Sequence, residues 1–176
     1  MTRRLLVNCA IVASVLLLGA TYAAVRGGPP ALDANGPTRL QGTRQGDVEM
    51  VASHQVRRVR YRDRALLDYT FRLTNPEALP VTVTGIDRGA RGSKVLRFVA
   101  LGGPGGQGRF RVPAYGSSDV HLLIRITGCR WARGRGGVAG TLLLHTERLG
   151  LPAGTVRVTL PEELHTGQPR GGCPVA

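Results

Sequence analysis

The chain's 176 residues are 42% hydrophobic and 20% charged, a globular balance that excludes a chain disordered by composition. With an N-terminal apolar segment set aside, about 150 residues remain, the size of one domain with a tail or linker. The 25 Gly and 11 Pro favour many turns over long helices, and the formal net charge of +13 allows nucleic acid, anionic lipid or an acidic polymer as partner. Every basic residue except Lys94 is Arg, however, and abundant Ala, Gly and Pro beside that bias match the codon usage of a high-GC genome, which accounts for much of the charge without a ligand.

The chain opens with Thr2-Arg3-Arg4 and continues as an apolar run from Leu5 towards Val25, ahead of Arg26-Gly27-Gly28-Pro29-Pro30. A charged start followed by an apolar stretch is the grammar of a signal peptide or a signal anchor. The run reaches roughly 20 residues, enough to span a hydrocarbon core as a helix. Thr21-Tyr22-Ala23 also places small residues at the −3 and −1 positions of a cleavage site, so residues 1–25 are read as anchor or cleaved signal. Either way Arg3 and Arg4 stay on the cytoplasmic side and the remainder lies outside. A buried helix of a cytosolic domain is the third reading. Cys9 sits too early in the apolar run to be a lipid-modified cysteine.

Residues 26–47 are rich in Gly, Pro, Thr, Asn and Gln without apolar periodicity and read as a flexible stalk. From Val48 the chain becomes a series of short alternating segments, the pattern of antiparallel sheets with one wet face. Val59, Tyr61, Leu67, Tyr69, Phe71 and Leu73 fall on one parity and Arg58, Arg60, Arg62, Arg64, Asp68, Thr70 and Arg72 on the other, with a turn at Asp63. Strands are predicted over 48–61, 65–74, 81–86, 95–100, 108–112, 118–127, 137–146 and 154–160. Val120, Leu122, Ile124 and Ile126 give the clearest inward face, with His121, Arg125 and Thr127 outward. Seven or eight strands at this spacing describe a two-sheet antiparallel β-sandwich, with a closed barrel as runner-up.

Cys129 and Cys173 form an even pair in an oxidising compartment and imply one disulfide, tying the tail from Pro161 to Ala176 back to the domain. Such a bond would stabilise the fold by on the order of 4 kcal/mol in the chain-entropy model. The runs Tyr69-Thr70-Phe71-Arg72-Leu73-Thr74-Asn75-Pro76, Leu79-Pro80-Val81-Thr82-Val83-Thr84 and Phe110-Arg111-Val112-Pro113-Ala114-Tyr115-Gly116-Ser117-Ser118-Asp119-Val120 resemble the rhythm of bacterial immunoglobulin-like domains. They are also similar to small exported actinobacterial proteins. The resemblance spans about residues 48 to 160 and implies an immunoglobulin-like sandwich at 48–176 behind a transmembrane or signal helix; it carries no active-site residue.

Chemistry is sparse. Gly102-Gly103-Pro104-Gly105-Gly106-Gln107-Gly108 lacks the Lys-Ser/Thr end of a phosphate loop and reads as a hairpin connection. Arg133-Gly134-Arg135-Gly136-Gly137 is a single short RGG-like copy, read as a surface turn. Trp131 is read as packing on the disulfide. His54, His121, His145 and His165 are dispersed; only His121 and His145 could begin a metal site, and a copper set is poorly supplied. Glu162-Glu163 and Ser117-Ser118 assemble no nucleophile with a base. No enzyme, metal or cofactor is expected.

The remaining signal is Arg57-Arg58-Val59-Arg60-Tyr61-Arg62-Asp63-Arg64, where alternation aligns Arg58, Arg60 and Arg62, with Arg72 near, as an anion-meeting face or an ordinary solvated one. The expected function is a non-catalytic, membrane-tethered binding or structural module of the cell envelope. Its partner would be an envelope protein or an anionic surface polymer. An accessory domain or unrecognised hydrolase, and a surface nucleic-acid binder, are the alternatives.

Overall fold

The computed structural model describes residues 11–16, 19, 22–23, 28–42, 48–51, 53–59, 66–87, 95–106, 108–127 and 137–166. Residues 11–16 are helical, and no helix among the described residues is long and apolar enough to cross a membrane. The described residues form ten strands: β1 (Asp33–Gln41), β2 (Val48–Val51), β3 (His54–Val59), β4 (Leu66–Thr74), β5 (Val81–Ile86), β6 (Leu96–Gly102), β7 (Phe110–Val112), β8 (Ser117–Ile126), β9 (Val138–Arg148) and β10 (Leu151–Thr166). They make two sheets, one ordered β1-β4-β8-β6 and the other β2-β3-β10-β9-β5-β7.

The core follows the alternation. Leu67, Tyr69, Phe71 and Leu73 on β4 and Val120, Leu122, Ile124 and Ile126 on β8 are all buried, facing Val81, Val83, Leu142, Leu144, Val156 and Val158 from the other sheet. Period-2 burial on both sheets, with β-branched and aromatic side chains on the inward parity, closes a sandwich.

Several expectations are corrected. Residues 33–41, expected within the stalk, form β1, which pairs antiparallel with β4 from Asp33↔Thr74 to Gln41↔Asp68. The segment hides because it is an edge strand interrupted by a bulge, and only Leu40 of its nine residues is fully buried. The single strand expected over 48–61 is two strands joined in a hairpin, β2 and β3. Residues 161–166, expected in the tail, continue β10, whose end pairs parallel with β3, a departure from an all-antiparallel fold. The Gly102–Gly108 stretch, expected to close a hairpin, instead carries the chain from β6 in the four-stranded sheet to β7 in the six-stranded one, through a short 3₁₀ turn at Pro104–Gly106.

Candidate functional site

Two polar clusters are built by the fold, one sealing its side and one shaping its end. The first arises where two bulges meet. β1 carries two extra residues between Asn35 and Arg39 relative to β4, and β10 carries extra residues between Thr159 and Leu164 relative to β9. These bulges aim Thr38 and Glu162 towards Arg57 of β3. Arg57 grips Glu162 with two donors, Nε to Oε2 at 2.5 Å and Nη2 to Oε1 at 2.9 Å. The Thr38 hydroxyl donates to Glu162 Oε1 and accepts from Arg57 Nη2 at 3.2 Å. The ion pair is buried, its side chains 11% and 5% exposed.

Burial pushes the Glu162 carboxyl up, but the hydrogen bonds from Arg57 and Thr38 and the Arg57 charge outweigh it and hold the group below its ordinary value. The hydrogen bond to Glu162 raises Arg57 in turn, against burial. The Tyr69 hydroxyl lies beside the pair, raised chiefly by burial, near Thr38 and the Glu162 backbone yet aligned with neither for a hydrogen bond. Thr38 belongs to one sheet and Arg57 and Glu162 to the other, so the cluster clamps the sandwich along one side. Both carboxylate oxygens of Glu162 are engaged, Oε1 by Thr38 and Arg57 and Oε2 by Arg57, within a largely buried pair.

The second cluster lies at the end of the sandwich where β1, β5, β8 and β10 begin and β4, β7 and β9 finish. Asn75, wholly buried after β4, donates from Nδ2 to the carbonyls of Leu79 (2.8 Å) and Pro113 (3.1 Å) and accepts from the Glu77 amide (3.0 Å). That side chain binds the 75–80 connection to the 113–116 turn, closed by the Gly116 amide donating to Pro113 O at 3.2 Å. Glu77 then gathers three segments: its Oε1 accepts from the Ala31 amide at 2.8 Å, its Oε2 from Arg148 Nη2, and its backbone carbonyl from the Tyr115 amide at 3.0 Å.

On this frame stand two residues that are, among the described residues, the non-glycine positions with positive φ, Tyr115 (φ 49) and Leu149 (φ 51). Both are exposed, Tyr115 at 74% and Leu149 at 57%, with Leu151 at 51% beside them. Leu149 and Gly150 (φ 81) form the two-residue β9–β10 connection, a turn with positive φ at both positions that suits Asn-Gly. A leucine there bears the cost of the left-handed conformation without burying its side chain. Leu149→Asn should therefore raise stability by about 1 kcal/mol, or roughly 3 °C in the unfolding midpoint. A thermal scan showing a lower midpoint would mean that Leu149 packs in a way its exposure conceals.

The residues singled out from the sequence are dispersed. Arg58 is on β3 of the six-stranded sheet, paired with Glu49 at 2.9 Å, whereas Arg72 is on β4 of the four-stranded sheet, paired with Asp119 at 3.1 Å. The two therefore stand on outer faces of different sheets, and the expected row does not join them, because the chain changes sheet between β3 and β4. Arg60 and Arg62 lie outside the described residues, as do Cys9, Cys129, Cys173, Trp131 and the arginines of the RGG-like stretch. His121 and His145 are on different sheets and cannot begin a shared site. Among the described residues, no three His, Cys, Asp or Glu side chains are grouped to hold a metal ion.

One unforeseen polar group lies on the open face of the four-stranded sheet. His121 Nδ1 is 3.3 Å from both Asp68 carboxylate oxygens and 3.4 Å from Thr70 Oγ1. A hydrolytic triad needs its acid on one imidazole nitrogen and its nucleophile on the other. Here acid and hydroxyl share one nitrogen, so no proton relay is formed.

No family model matches the sequence, and no curated protein matches it. Among solved structures the chain is similar to the cupredoxin domain of amoB from Nitrosocaldus yellowstonii, at 11% sequence identity and a TM-score of 0.29. The match covers 63% of this chain and 65% of that one.

Proposed function

We propose that this chain is a non-catalytic, membrane-tethered binding or structural module of the cell envelope, its sandwich of the immunoglobulin-like kind. The observation that carries the reading is the short connection between the apolar run and the folded body. Ala31 is already fixed to Glu77, six positions after Val25, so the run at 5–25 leads almost directly into the sandwich. An uncleaved anchor would hold the domain on the outer side, with Arg3 and Arg4 inside, and a Cys129–Cys173 bond would suit that compartment. The inward faces are filled by side chains, and the geometry of His121, Asp68 and Thr70 supports no nucleophile, which favours display over turnover.

The test is topological. The full chain with a C-terminal tag is produced in a bacterial host, and its membranes are washed in alkaline carbonate while spheroplasts are treated with protease. The expected result is retention in the washed membrane and digestion of the tagged domain from outside. A full-length chain that is soluble and protected in intact spheroplasts overturns the reading.

A further inference from the structure

We infer that the end of the sandwich bearing Tyr115, Leu149 and Leu151 rests on the lipid surface of the membrane that holds the N-terminal segment. The inference builds on the anchored reading above and adds an orientation and a contact to it.

Three observations select the bilayer as the occupant. The first is reach. Five residues lie between Val25 and Ala31, and the six steps span at most about 22 Å even when fully extended. A domain on so short a tether stays beside the surface. The second is placement. Ala31 and Tyr115 are held by the same glutamate, the former on its Oε1 and the latter on its backbone carbonyl. The chain thus enters the sandwich at the end that carries Tyr115, Leu149 and Leu151, whereas the other exposed apolar residues of the sheets, Val48, Met50 and Val51 on β2, Leu66 at the start of β4 and Val138 at the start of β9, lie away from it. Pro29 is at this end too, near Gly154 just past the β9–β10 turn.

The third is chemistry. Tyr115 combines an aromatic ring with a hydroxyl, the side-chain type that settles at the headgroup level, and Leu149 and Leu151 offer alkyl groups for shallow insertion. Arg111, exposed two residues before Pro113, supplies positive charge for anionic headgroups. The left-handed backbones at Tyr115 and Leu149 hold both side chains outward, so the patch is formed before contact and no rearrangement is needed.

The experiment uses the full chain in vesicles of phosphatidylethanolamine and phosphatidylglycerol, with the lipid chains brominated at a shallow or a deep position. The reporter is Tyr115→Trp in a Trp131→Phe background. The indole introduced at position 115 should be quenched about twofold or more by shallow bromines and less by deep ones, as befits an interfacial residue. Adding Leu149→Asn and Leu151→Ser should abolish at least half of that quenching. Because Leu149→Asn relieves backbone strain, loss of quenching in that variant alone cannot be assigned to unfolding. Carbonate-resistant retention is scored on the same samples. A retained chain with an unquenched indole overturns the docked orientation and leaves the anchor standing. A chain released by carbonate overturns the anchor, and the docked orientation falls with it, since the tether is what selects this surface.

Discussion

Glu162→Ala should be the most damaging single substitution in the polar framework, lowering stability by about 3–5 kcal/mol and leaving Arg57 as an uncompensated buried charge. Arg57 is 11% exposed, and its hydrogen bonds to Glu162 and Thr38 are organised around the carboxylate. Losing the carboxylate also removes the acceptor that draws the Thr38 hydroxyl of β1 towards β10. Replacing both charges at once, Arg57→Met with Glu162→Leu, should recover most of the loss, because an apolar pair of similar volume carries no desolvation cost. Denaturant unfolding of the single and double variants checks both expectations. Equal damage in the two would show that side-chain shape rather than charge holds the clamp.

The same pair sets an acid limb. The folded state holds the Glu162 carboxyl below its ordinary value, so the pair's stabilisation is present in full above the unfolded carboxylate range, near pH 4.3, and is lost as pH falls through the lower folded value. Arg57, raised from an already high value, stays charged throughout. Unfolding midpoints of wild type and the apolar double variant should therefore converge or cross below about pH 4.

Asn75→Ala should cost about 2 kcal/mol, because the Leu79 carbonyl and the Glu77 amide lose the Asn75 side chain as partner in part-buried surroundings and the Pro113 carbonyl is left with the Gly116 amide. Its effect should also be local in a way the Glu162 change is not. This side chain bridges the 113–116 turn and the 75–80 connection beside two backbone hydrogen bonds, Asn75 N–H to Gly116 O and Tyr115 N–H to Glu77 O, so amide exchange at Tyr115, Gly116 and Glu77 should accelerate even where global stability still suffices. Hydrogen exchange resolved by residue distinguishes the two. Uniform acceleration across β4 and β8 would place Asn75 in the general core and not in the support of the loop end.

Much of this was legible along the chain. The inward parity of Leu67, Tyr69, Phe71 and Leu73, and of Val120 to Ile126, reads directly as one wall of a core. The clamp had a signal as well. Val156, Val158 and Leu160 set an even inward parity that continues onto Glu162 and Leu164, and Val59 sets an odd one that reaches Arg57. Opposite charges on inward positions of two strands announce a buried pair, and it is the exposed arginines of the same segment that draw the eye instead. β1 was hidden because its bulge breaks the alternation and its edge position leaves polar residues outward. Which sheet a strand joins was not legible at all, since a period of two states which face is wet and is silent about the neighbour. That silence is why Arg58 and Arg72 looked like one row and stand on opposite walls.

β1 starts at the end of the sandwich where the chain enters and runs away from it, hydrogen-bonded to β4 from Asp33 to Gln41. A pull transmitted through residues 28–32, directed outward from that end, therefore acts along the axis of β1. Its rungs to β4 are loaded in shear and share the force, whereas a strand of the opposite direction would be peeled one rung at a time. The Thr38 contact to Glu162, midway along β1, adds a cross-sheet pin to the same load path. The edge strand that the sequence disguises as a loose connector is thus the element by which the folded body withstands tension on its own leash.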